Sequence, residues 1–142
     1  MIVGRLLELY LLCAMAIVVH ECCHAFIAIC IKVKILDMRI GEGLFAIKLG
    51  RFRISPLVCG GFVEVKEDDL LKRRKAEISF FFLAGSMGNL LLIGVTFLFY
   101  AGYSLIDYVI LVNGAIIILS SFPFIKKNDM NSMIALIKRK DE

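Results

Sequence analysis

His20-Glu21-Cys22-Cys23-His24 contains both histidines of the chain and lies inside an apolar run over residues 6–31. On a helix, positions four apart face the same way, about 6 Å apart along the axis. Two imidazoles so placed can take two corners of a zinc tetrahedron, and the adjoining glutamate can serve as general base toward the attacking water. A pair of core histidines satisfying each other's hydrogen bonds is the plainer reading. Three such groups in hydrocarbon cost several kcal/mol, however, which points to a functional reason for keeping them.

The surrounding composition decides the class. Of 142 residues, 60% are hydrophobic and the mean hydropathy is +0.85, against about 45–50% apolar for a soluble domain. The chain reads as an all-α integral membrane protein with a single domain over residues 1–142. Its net charge of +4 follows membrane topology rather than a groove or stripe, which excludes a nucleic-acid partner. The five cysteines, Cys13, Cys22, Cys23, Cys30 and Cys59, show no disulfide spacing, and four of them sit in the first apolar run as small hydrophobes. On a helical wheel Cys22 projects about 200° from His20 and Cys23 about 300°, so Cys23 is the one thiol near the histidine face. The first run is too long for the apolar part of a cleaved signal peptide, and removing it would remove the histidines.

Three apolar spans, about 6–31, 78–101 and 105–125, each approach the roughly 20 residues that a crossing needs. Between the first two, short stretches at 34–40, 44–49, 51–55 and 61–65 alternate, with glycines punctuating them. Phe52 and Ile54 interleave with Arg51 and Arg53, the period of a strand with one wet face. Residues 34–65 therefore predict a small antiparallel unit of three or four strands at the membrane surface. The charge run at 66–77 predicts a solvated helix or loop. In the second span, Ala84 and Gly88 have the spacing that lets helix backbones approach, and Asn89 is its strongly polar side chain, which helix–helix hydrogen bonding would explain. A turn is expected at 102–104, and Pro123 should kink or end the third span. Met130, Met133, Ile134, Leu136 and Ile137 make 126–142 an amphipathic tail helix lying on the membrane.

Charge sets the expected orientation. Eleven Lys and Arg lie between spans one and two and five in the tail, against Arg5 alone before span one and none between spans two and three. That places the protein in the cell membrane as a multi-pass chain, with the N-terminus outside and the strand unit and tail cytoplasmic. His20 then lies roughly 16 Å from the cytoplasmic end of its helix, at 1.5 Å per residue. A catalytic zinc keeps three protein ligands, and without a third histidine an acid or thiol must reach that depth. Asp37, Asp68 and Asp69 belong to the surface segment and Asp107 to the far side. Asp129, beyond the proline break, can fold back toward the bundle or can serve as a solvated cap of the tail helix.

Four stretches, in order, are similar to the motifs of one family, the site-2 protease type of intramembrane zinc metalloproteases (M50 type). His20-Glu21-Cys22-Cys23-His24 resembles its HExxH. Residues 54–65, ISPLVCGGFVEV, resemble its double-glycine and aromatic segment between the first two core helices. Ala84-Gly85-Ser86-Met87-Gly88-Asn89 is similar to AGPxxN, with Ser86 where proline is usual. Ser120 to Asp129 is similar to NxxPxxxLDG, with Ser120 for the asparagine, one extra residue between proline and aspartate, and Met130 for the glycine.

The resemblance covers nearly the whole chain and implies a minimal family core without accessory domains. It implies Zn2+ held by His20, His24 and Asp129, Glu21 as general base, and Asn89 hydrogen-bonding substrate backbone or the oxyanion. Gly60, Gly61 and Phe62 would lie on a strand to which an unwound substrate adds. The implied partners are a membrane-protein or hydrophobic-peptide substrate, the lipid bilayer and a regulatory membrane protein. The alternative is a non-catalytic homologue acting as a membrane regulatory, immunity or peptide-binding protein. A conducting or metal-transporting protein would need more polar residues along a path than the second and third spans offer.

Overall fold

A computed structural model describes residues 2–43, 45–100, 105–122 and 128–141. In chain order the elements are α1 (Ile2–Cys30), β1 (Ile35–Glu42), β2 (Ile47–Leu49), β3 (Phe52–Ile54), β4 (Leu57–Val65), α2 (Glu67–Leu71), α3 (Lys75–Tyr100), α4 (Leu105–Ser121) and α5 (Asp129–Asp141). The uninterrupted apolar runs become helices because, in hydrocarbon, only a helix satisfies every backbone group within one segment. Two of them, α1 and α3, are long and apolar enough to cross a membrane. At 17 residues α4 is apolar but shorter, and the predicted turn at 102–104, Pro123 and the end of the predicted third span lie outside the described residues.

The strand unit departs from expectation in its pairing. Its order is β2-β3-β1-β4, and although β1 pairs antiparallel with β4, it runs parallel to β3, with Met38 opposite Phe52 and Ile40 opposite Ile54. The cause is a short hairpin. β2 and β3 pair with each other across Gly50, and the hairpin joins β1 through its second strand, so that strand runs in the same direction as β1. The second departure concerns the last strand, expected over 61–65: β4 begins at Leu57 and takes in Gly60 as well as Gly61.

Two small cores hold the sheet and helices together. Met38 and Ile40, from one face of β1, are buried against Ala25 of α1. Ala28, Val33, Leu70, Ile78, Phe81 and Leu136 form the other core. Leu70 comes from the charged segment, so α2 is solvated on one face only. Leu136 comes from α5, whose apolar stripe is therefore docked on the protein in part rather than spread on the membrane alone. Lys140 Nζ donates to the Leu71 carbonyl at 2.5 Å and Arg139 pairs with Glu67, tying the end of α5 to α2. Along the α1–α3 seam Ala84 and Gly88 are buried, as the small-residue spacing predicts. Across the α3–α4 seam Ser86 Oγ lies 2.9 Å from Ser120 Oγ, and because Ser120 donates to the Ile117 carbonyl, Ser86 is the donor of that pair.

Candidate metal centre

His20, Glu21 and His24 are all buried on α1, and a one-turn spacing brings the two imidazoles together. The third group arrives from the far end of the chain. Asn128 caps α5: its Oδ1 accepts from the Asn131 N–H at 2.9 Å, while its Nδ2 donates to the Leu119 carbonyl at 3.3 Å and to that of Phe122. The cap thus ties the start of α5 to the end of α4. The next residue, Asp129, is carried to the histidines.

The three polar atoms form a nearly equal-sided triangle. His20 Nε2 is 3.1 Å from Asp129 Oδ2, His24 Nε2 is 3.3 Å from the same oxygen, and the two Nε2 atoms are 3.2 Å apart. Ligand atoms at tetrahedral corners, about 2.0–2.1 Å from zinc, stand roughly 3.3 Å from one another. The donor set and the spacing both fit that ion. His24 Nδ1 donates to the Phe81 carbonyl at 2.7 Å, so in its neutral form Nε2 presents a lone pair to the triangle. Asp129 brings a carboxylate oxygen to the two imidazole nitrogens, and the three ligand atoms all lie within 4.8 Å of one another. With both imidazoles neutral, a cation between them would satisfy all three lone pairs.

Two glycines let the surrounding backbone come this close. A Cβ on Gly85 would stand 2.4 Å from His20 Nε2, and one on Gly61 would stand 2.6 Å from Glu21 Cγ. Neither position admits a side chain. Gly85 gives the His20 ring its place against α3, and Gly61 gives Glu21 its place under β4. The triangle and Glu21 open into a cavity of about 450 Å3, which Gly60, Gly61 and Phe62 line from β4. Arg39 lies over the Phe62 ring, 5.0 Å from its centroid.

Asn89 is elsewhere. It is fully buried, does not line the cavity, and has its Nδ2 3.4 Å from His20 Nδ1. Cys23 faces away as well, packed on Gly88. Reasoning from sequence missed three contributors. The Phe81 carbonyl is backbone and leaves no trace in a side-chain pattern. Asn128 was legible as a cap, since Asn-Asp directly precedes the apolar stripe of α5. Tyr10 was not: its hydroxyl accepts from the Val58 N–H at 3.0 Å and donates to the Pro56 carbonyl, pinning the start of β4 to α1.

The family model described as peptidase family M50 matches residues 9–139. No curated protein matches the sequence.

Proposed function

The chain belongs to peptidase family M50, a family of zinc metalloproteases, and on that premise we propose that it cleaves a peptide bond within or near the membrane segment of a protein or hydrophobic peptide. Family membership marks a protease, and together with α1 and α3 it marks a membrane protein. The observation that carries the finer reading is the 3.1–3.3 Å triangle of His20, His24 and Asp129 beside the buried carboxyl of Glu21.

His20, His24 and Asp129 would hold Zn2+. When bound, the ion supplies a Lewis acid for the scissile carbonyl and lowers the pKa of water toward about 7. Among the described residues no hydrogen bond occupies the Glu21 carboxylate, and it lines the same cavity. Glu21 therefore takes a proton from the attacking water and returns it to the amine nitrogen as the C–N bond breaks. A helical substrate has its amides bonded internally and must unwind before attack. β4 suits an unwound chain. Among the described residues it is an edge strand, paired only with β1, and its Gly60, Gly61 and Phe62 run along the cavity. A peptide added to that edge would lie across the site.

We place three crossings in the membrane, with the N-terminus outside and the strand unit and α5 cytoplasmic, on the sixteen-to-one charge count. The non-catalytic alternative draws on the altered stretch from Ser120 to Met130. Ser120 is engaged with Ser86, and Asp129 still reaches both imidazoles despite the extra residue, which supports the catalytic reading. The test is Glu21→Gln with zinc content and cleavage of single-span reporter peptides in vesicles measured together. Retained zinc with activity down about 10²–10⁴-fold is expected. Unchanged cleavage overturns the protease reading.

A further inference from the structure

Phe81, Gly85 and Asn89 follow one another at four-residue intervals and so make a single stripe on α3. The stripe faces the histidines. Phe81 offers its carbonyl to His24 Nδ1, Gly85 leaves room for the His20 ring, and Asn89 brings its amide to His20 Nδ1. Two of these three contacts have a plain chemical purpose, and the third is incomplete. The Asn89 Nδ2 is turned to His20 at 3.4 Å, while among the described residues the Asn89 Oδ1 is buried with no hydrogen-bond partner.

A neutral imidazole has one proton to place. His20 Nε2 belongs to the triangle with His24 and Asp129, so holding a cation there requires a lone pair on Nε2 and the proton on Nδ1. That proton needs an acceptor, which an amide NH2 cannot be. An asparagine amide, turned end for end, presents its oxygen where its nitrogen stood. Either orientation leaves one amide atom without a partner, but only the exchanged one gives His20 Nδ1–H an acceptor. We infer that Asn89 is a positioning residue of the metal centre: its Oδ1 faces His20 Nδ1 and fixes the tautomer and plane of that ring, as the Phe81 carbonyl does for His24. Asn89 then acts through His20 and does not touch the substrate. This rests on the metal-centre reading above.

The experiment is zinc affinity by chelator competition, in detergent at neutral pH, for the wild type, Asn89→Leu and Asn89→Asp. Leucine keeps the volume and removes the acceptor, so affinity should fall about 10–100-fold. Aspartate restores an acceptor and should recover most of the loss, a rescue that packing alone does not predict. In zinc-loaded wild type labelled at its two histidines, nitrogen NMR should place a slowly exchanging proton on His20 Nδ1, a readout that does not depend on how a variant folds. A leucine variant that binds zinc like the wild type, or a His20 proton found on Nε2 in the loaded protein, overturns the assignment. A wild type that takes up no zinc overturns the metal-centre reading itself.

Discussion

His20 Nε2 and Asp129 Oδ2 lie 3.1 Å apart although 109 positions separate them in the chain. In the proposed metal site this contact supplies the third ligand, since α1 by itself offers only two imidazoles. Asp129→Ala should therefore lower zinc content well below one ion per chain while leaving α1 and α3 helical. Metal analysis beside circular dichroism tests this. Stoichiometric zinc in the variant would rule out Asp129 as a ligand.

Gly85→Ala should act at the metal. Its new methyl group would stand 2.4–2.5 Å from three atoms of the His20 ring, and the ring must shift out of the triangle. Overpacking of this kind costs about 1–3 kcal/mol. Weaker zinc binding and a lower thermal midpoint are expected together, read by chelator competition and a melting curve. Wild-type affinity would show that the ring has room after all.

Gly61→Ala should act at Glu21, the proposed base, instead. The added carbon would meet Glu21 Cγ at 2.6 Å and the Arg39 backbone oxygen at 2.9 Å, neither of which belongs to the triangle. Zinc should stay bound while cleavage falls on the order of 10²-fold, the scale of a 1 Å misplacement of a reacting group. Loss of zinc along with activity would show that β4 supports the ligands as well as Glu21.

Tyr10→Phe removes one hydroxyl that serves two backbone groups, the Val58 N–H and the Pro56 carbonyl. Freed from α1, the start of β4 should loosen. Hydrogen exchange at the Val58 amide should speed up about 10-fold or more, corresponding to roughly 1–2 kcal/mol for a lost hydrogen bond. KM for peptide substrates should rise more than kcat falls. Unchanged exchange at Val58 would remove Tyr10 from the account of how β4 is held.

Much of the site was legible from local pattern. Glu21 and the two histidines share one helical turn, so their common face follows from helix geometry alone. The Asn-Asp pair before an apolar stripe marks the start of α5 for a similarly local reason. The strand unit was legible as strands but not as a sheet. Alternation fixes which face a residue occupies, yet it says nothing about whether β1 takes β3 or β2 as neighbour. The purpose of the glycine pair stayed open for the same reason: glycine serves a turn or a close approach equally well, and only the packing puts Glu21 against Gly61.

From the sequence alone came the apolar helices, the paired imidazoles with their glutamate, and the list of acids from which a third ligand had to be drawn. The first two depend on residues within a few turns of one another, and the third on composition alone. Only the tertiary structure decided that Asp129 is brought to the histidines, that Gly85 and Gly61 hold the space for His20 and Glu21, and that Asn89 sits behind His20 rather than beside the cavity. Those relations join α1 to β4, α3 and α5. They are fixed by how the helices and sheet pack, which no periodicity within a single element encodes.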